Sequence, residues 1–397
     1  MKLNVDAPAM RRINRATVLH IIRNQRTTSR IDLAQITGLN KATVSYIVDE
    51  LIEEQWVQEI GYGSSTGGRK PILLRFNANA AYAIGMDLEL PFLKTVVCNT
   101  RGEVVYKQER MLDALTNADT ATAVLDAIME EVQAAQAAAP KSSHGLVGIG
   151  LALPGLINAK TGASHHLRGI TESDWDLRAE LAERTTLPVF IDNNANCGAW
   201  SELLKSASRK ENLVYIHAGS SINTGIVIHG ELYKGRSGAA GEFGHMTISP
   251  MGQRCVCGNY GCWEQYASER SLLQYINEAG GNHAAIDLRR GLMEQILDGA
   301  YADNRAYIRA LNTLGQHLGI GIANIVNALS PDRISLGGTI SQASTFILPE
   351  IERVLQYRLI GANKNIPISI ASAHAIAVGA ATHVMNQTIF LDETVTP

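Results

Sequence analysis

The sequence predicts an α/β protein with a small, basic, mostly helical head followed by a larger acidic body in more than one lobe. Charge is the first observation. Residues 1–80 carry 11 Lys and Arg against 7 Asp and Glu, while the remainder carries 24 against 31. Pattern is the second: helical periodicity dominates up to about Glu54, whereas strands and helices alternate after Asn79. Size is the third, because 397 residues allow two or three domains with real cores. With 46% hydrophobic and 18% charged residues the composition is that of an ordinary globular protein. No apolar run reaches bilayer-spanning length, which speaks against a membrane protein.

In the head, the spacing predicts a first helix over about Met10 to Asn24, anchored by Ile13, Val18, Ile21 and Ile22. Ser29 stands three residues before Asp32, the arrangement of a helix start capped by a hydroxyl and an acid. Ile31, Leu33, Ala34 and Ile36 are expected to form the packing face of that second helix, and Gly38 to end it. Asn40 is a good cap for a third helix from Lys41 to about Glu54, with a stripe of Val44, Ile47, Val48, Leu51 and Ile52. Lys41, Thr43, Ser45 and Tyr46 then lie near its exposed N-terminal end, the part of a recognition helix that enters a major groove. Val57–Ile60 and Ile72–Phe76 read as two strands joined by an acid-free, glycine-rich loop carrying Arg69 and Lys70. Helix, turn, helix, hairpin and basic loop in this order predict a winged helix-turn-helix that binds DNA, with Asn40, Lys41, Thr43, Ser45 and Tyr46 at the bases and Arg69 and Lys70 at phosphates or the minor groove.

In the body, strands are expected at 83–86, 94–99, 103–109, 147–153, 189–192, 213–218 and 334–336. Helices are expected at about 118–138, 195–204 and 301–329, with a sharp turn at Gly337–Gly338. Ligands of such folds sit in a crevice beyond the strand ends.

Three of the five cysteines fall at Cys255, Cys257 and Cys262, and His245 lies ten residues ahead. Three thiolates and one imidazole fill a tetrahedral structural zinc site. Gly258 and Gly261 allow the loop to bend back on itself. Glu242 and Glu264 flank the cluster, so a metal that folds this loop would also place two acids. Cys98 and Cys197 stand alone and are expected in the core.

Four motifs stand out: Gly-Ile-Gly-Leu-Ala-Leu-Pro-Gly at 148–155, Asp-Asn-Asn-Ala-Asn at 192–196, Gly-Glu-Phe-Gly-His at 241–245 and the cysteine cluster through Glu264. On these the chain resembles the ROK family of repressors, open reading frames and sugar kinases. The likeness spans nearly the whole chain. Gly-Leu-Asn-Lys at 38–41 and Gly-Gly-Arg-Lys-Pro at 67–71 point to its pentose-responsive repressor branch. The resemblance implies an actin-like, hexokinase-like body of two lobes closing on a sugar, with D-xylose the expected effector and glucose or N-acetylglucosamine the alternatives. It assigns sugar contacts to Asn193, Asn194, Glu242, His245 and Glu264, with His245 also a zinc ligand. Carboxylates and amides suit the task because each can engage two hydroxyls.

The departures from the kinases of that family argue against phosphoryl transfer. Kinases carry Asp where this chain has Asn194, and an amide cannot act as the general base. Their first phosphate loop, Asp-x-Gly-Gly-Thr, is here Asp87-Leu88-Glu89-Leu90-Pro91. Their second, rich in glycine, is here Gly219-Ser220-Ser221-Ile222-Asn223. A non-enzymatic, sugar-responsive repressor is therefore expected. Its operator would be an inverted repeat bound by a homodimer or tetramer, with no membrane partner. No signal peptide is read and the thiols suit a reducing compartment, so the cytoplasm is the expected location. The expected domains are 1–80 for the winged helix, 81–194 with the C-terminal helix 375–397 for the first lobe, and 195–374 with the cysteine loop for the second.

Overall fold

The computed structural model describes residues 7–64, 70–112, 120–157, 164–165, 175–206, 210–286 and 291–390. Its head consists of α1 (Ala7–Asn24), α2 (Arg30–Thr37) and α3 (Lys41–Glu53) with a three-stranded sheet. Val18, Leu19, Ile22, Leu33, Val44, Ile47, Val48 and Leu51 form its core. Ser29 caps α2 reciprocally: Ser29 Oγ accepts from Asp32 N at 3.2 Å, and Asp32 Oδ2 accepts from Ser29 N at 3.1 Å. Gly38 stops the helix at φ 71°. The packing face expected for α2 is narrower than the sequence pattern implied. Leu33 is buried, but Ile31 and Ile36 are 47% and 53% exposed, because an eight-residue helix can turn only about one-third of its circumference to the core.

Strands β1 (Thr28–Ser29), β2 (Val57–Tyr62) and β3 (Ile72–Phe76) pair in the order β1-β3-β2, giving the wing its frame. Residues 65–69, part of the loop expected to carry the basic residues, lie outside the described residues, and Arg69 with them.

The first lobe is built on β4 (Tyr82–Glu89), β5 (Phe92–Asn99), β6 (Val104–Met111), β7 (Leu146–Leu153) and β10 (Val189–Asn193), in the order β10-β7-β4-β5-β6. A two-residue pair, β8 (Leu156–Ile157) and β9 (Ser164–His165), precedes β10. Parallel β4, β7 and β10 are covered on both faces, which explains the near-continuous apolar run of β7. α4 (Thr120–Ala138) and α5 (Leu177–Arg184) cover one face.

Two helices fill the space between the sheets, α6 (Asn194–Leu204) and α12 (Ala375–Met385). α12 lies so close to the first sheet that a Cβ at Gly85 would sit 1.9 Å from Ala377 O, and one at Gly150 2.1 Å from Ala380 O. Glycine is required at both crossings. A short π-helical turn, Asn386–Phe390, follows α12, and residues 391–397 lie outside the described residues.

The second sheet runs β13-β12-β11-β14-β15, from β11 (Leu213–Ala218), β12 (Ile222–Ile228), β13 (Glu231–Leu232), β14 (Arg333–Gly337) and β15 (Ile368–Ile370). α7 (Glu264–Ala267), α8 (Glu269–Glu278), α9 (Leu292–Tyr301), α10 (Arg305–Leu329) and α11 (Ser344–Arg358) complete the lobe around the fully buried Trp263. The helix expected at 301–329 is shorter. Tyr301 ends α9, and Asn304 starts α10 by accepting from Ala306 N at 3.0 Å. Cys98 and Cys197 are core residues, as expected.

Candidate DNA interface, metal centre and ligand cleft

At the head, Asn40 Oδ1 accepts from Thr43 N at 2.8 Å, so Asn40 fixes the start of α3. Lys41 and Tyr46 are exposed, with Thr43 and Ser45 half-buried beside them. Tyr46 Oη accepts from Arg11 Nη2 at 2.6 Å and donates to Glu50 Oε1 at 2.9 Å, while the Arg11 guanidinium stands 4.9 Å from the ring centre. Arg11 therefore packs on the exposed face of α3 that the sequence reading turns toward DNA. Sequence reasoning missed it because the two residues are 35 positions apart and no local pattern joins them. Lys70 is exposed at the base of the wing.

The cysteine loop folds as its glycines suggested, with Gly258 at φ 91° and Gly261 at φ 70°. The ligand atoms of His245, Cys255, Cys257 and Cys262 all lie within 4.8 Å of one another. Cys257 Sγ is 3.6 Å from Cys262 Sγ, and His245 Nδ1 is 3.5 Å from Cys255 Sγ. Four ligands on a tetrahedral ion, with metal–sulfur bonds of about 2.3 Å, would stand about 3.8 Å apart. The donor set fits. Burial pushes the Cys262 thiol up to about 12, and the neighbouring thiols add to the rise.

His245 has two faces. Its Nδ1 looks at Cys255, while its Nε2 lies 3.9 Å from Glu242 Oε2. Burial raises the Glu242 carboxyl above its ordinary value, and nearby Glu264 adds to the effect. Glu264 is buried, and its Oε2 accepts from Ile222 N at 3.2 Å. The structure thus brings Glu242, His245 and Glu264 together at the start of β12. The turn carrying Glu242 is pressed against the strand, since a Cβ on Gly244 would lie 2.2 Å from Ile222 O.

Asn193 and Asn194 approach the same strand from α6, where a Cβ on Gly225 would lie 2.2 Å from Ala195 O. Asn193 Oδ1 caps α6 by accepting from Asn196 N at 2.7 Å. Asn194 is 1% exposed, yet neither its Nδ2 nor its Oδ1 has a hydrogen-bond partner among the described residues. Leaving such a group unsatisfied costs about 1–3 kcal/mol. Asp192, quoted in the motif but assigned no role, anchors the turn. It accepts from Asn193 N at 2.9 Å and Asn196 Nδ2 at 2.8 Å, and pairs with Lys234 Nζ at 2.6 Å.

Residues 84–386 match the model of the ROK family, and residues 2–59 match that of the MarR family. The chain belongs to the ROK family. It is 32% identical over 394 residues to a protein of Bacillus subtilis (strain 168) named Xylose repressor, covering 98% of each. It is 28% identical to the DNA-binding transcriptional dual regulator NagC of Escherichia coli K12, covering 95% of this chain and 93% of that one. Among solved structures, a ROK family transcriptional regulator described as a homolog of the E. coli MLC protein superposes with a TM-score of 0.78 at 26% identity, covering 96% of this chain and 98% of that one. A ROK family glucokinase from Streptomyces griseus, in complex with glucose and AMPPNP, superposes with a TM-score of 0.65 at 25% identity. It covers 76% of this chain and 98% of its own. The body of this ROK protein is hexokinase-like, and its head is a MarR-like winged helix. The chain is a transcriptional repressor and not an enzyme. Among the described residues no helix is long and apolar enough to cross a membrane.

Proposed function

We propose that D-xylose is the effector that releases this sugar-responsive repressor from the operator of a carbohydrate-utilisation operon. The sugar sits between Asn193 and Asn194 on one side and Glu242, His245 and Glu264 on the other. The buried amide of Asn194 carries this reading. An unsatisfied group with two donors and an acceptor is what a hydroxyl-bearing ligand completes, and analogues lacking the hydroxyl would leave it unpaired again. The xylose repressor relatives give the pentose its preference over other sugars.

Zinc is the metal that the His245, Cys255, Cys257 and Cys262 set suits, in a structural role. Bound there, it ties the loop together, and the chain's own His245 and Glu264 are thereby held toward the sugar. A homodimer places two α3 helices on the half-sites of an inverted repeat. Lys41, Thr43, Ser45 and Tyr46 read bases, while Arg69 and Lys70 hold the backbone. Sugar acts only through its greater affinity for the arrangement that does not fit the operator, since equal affinity would shift nothing.

Isothermal titration of the full chain with D-xylose, D-glucose and N-acetylglucosamine tests the assignment. Binding of D-xylose that Asn194→Ala weakens by about tenfold to a hundredfold supports it. Binding of another sugar alone changes the effector, and binding of none overturns the site.

A further inference from the structure

The two segments that depart from the phosphate-loop pattern, 87–91 and 219–223, meet each other across the lobes. Glu89 ends β4 in the first sheet, and its Oε1 lies 3.2 Å from His217 Nε2 of β11 in the second sheet. The same oxygen accepts from Ser220 Oγ at 3.1 Å. Gly219 makes room for this contact: a Cβ there would lie 3.2 Å from Glu89 Oε1 and 3.4 Å from His217 Nε2. The His217 side chain is 1% exposed and that of Glu89 19%.

Burial disfavours the charged form of each partner, but their mutual attraction outweighs it. Glu89 is held at about 2, with His217, Ser220 and Lys94 overcoming the burial. His217 is raised above its ordinary value against burial, chiefly by Glu89, with Asp87 and Glu269 adding to the effect. Asp87 is pushed up to about 7 by burial and by Glu89, with Glu109 adding to the rise and Lys94 and His217 opposing it. Glu269 is bound by Thr339 Oγ1. The departing residues Glu89 and Ser220, with His217 two positions before the second segment, therefore form one built contact, a carboxylate of the first lobe received by an imidazole and a hydroxyl of the second.

We propose that Glu89, His217 and Ser220 form a latch that holds the two lobes together through a carboxylate of the chain itself, in place of any bound anion. The latch needs a charged imidazole. It is complete below the ordinary histidine value and is lost as pH rises through the raised value of His217. Above it, the buried carboxylates of Glu89 and Asp87 face each other with Lys94 as the remaining cation beside them, and the end of β4 separates from the end of β11. From the acid side, it weakens as pH falls from the ordinary carboxylate range toward that of Glu89.

Hydrogen–deuterium exchange of the full chain without sugar tests the latch, at about pH 6 and about pH 9 and corrected for intrinsic rates. Peptides covering 88–93 and 217–222 are expected to exchange roughly tenfold faster at the higher pH, together. Glu89→Ala is expected to show that fast exchange in both segments at either pH. Glu89→Gln, which keeps the shape, should lose the pH dependence. Unchanged exchange at 217–222 in Glu89→Ala, or equal protection of the wild type at both pH values, overturns the proposal. The wild-type comparison decides the matter even where a variant fails to fold.

Discussion

Arg23, in the last turn of α1, donates from Nη1 to Asn386 Oδ1 at 3.0 Å, one residue beyond the end of α12. Its Nη2 also donates to Thr100 O at 3.3 Å. A second contact seats the head beside it, where the His144 ring stacks on Trp56 with centroids 4.0 Å apart and its Nε2 bonds to Glu54 O at 2.8 Å. α12 is the helix that lies on the first sheet and packs against α6, and α6 begins at Asn194. A continuous path of packed helices therefore joins Asn194, in the proposed ligand cleft, to the head.

Arg23→Ala removes the polar end of that path and leaves the recognition helix untouched. Operator affinity without sugar should change by less than about threefold, while the ratio of affinities with and without sugar should fall toward one. Parallel DNA titrations measure both quantities. A full sugar response in Arg23→Ala would show that the coupling runs elsewhere.

Asn194→Ala separates a ligand role from a structural one. Because the amide is buried without partners among the described residues, its loss should leave the thermal midpoint of the sugar-free protein unchanged or slightly raised. Sugar affinity should fall by about tenfold to a hundredfold, the worth of one or two buried hydrogen bonds. A lowered midpoint with intact affinity would make Asn194 a fold residue.

Cys257→Ser takes one ligand from the metal set while leaving its neighbours. Zinc affinity, read by competition with a chelator, should drop by more than about a hundredfold, beyond what outer-sphere changes cost. Sugar binding should weaken with it, because Glu264 and His245 sit on the same folded loop. Wild-type sugar binding by metal-free protein would break this link.

Lys70→Ala tests the wing. Binding to specific and non-specific DNA should weaken alike, and the slope of log affinity against log salt should flatten by about one. Lys41→Ala should instead cost more on the operator than on random DNA, by about 1–3 kcal/mol. Equal losses for the two variants would mean that Lys41 reads no base.

Local signals were legible in the sequence where local physics decides. Ser29, Gly38 and Asn40 marked helix ends because capping involves only neighbours within four residues. The His245 and cysteine set was legible because metal ligation restricts residue type as well as spacing. β12 was not, since Ile222-Asn223-Thr224-Gly225 mixes apolar, polar and glycine residues. Its burial comes from α6 on one side and the Glu242 turn on the other. The Glu89–His217 and Arg11–Tyr46 contacts were illegible for the same reason, as each joins segments that only the tertiary fold makes neighbours. Ile31 and Ile36 misled because an apolar residue on a short helix need not face inward.

The central claim, a repressor released by D-xylose, is tested most directly by fluorescence anisotropy of the full chain on DNA from its own upstream region, at fixed salt, with and without the sugar. Tight specific binding that D-xylose releases and D-glucose does not is the predicted result. Specific binding that D-xylose leaves untouched would contradict it.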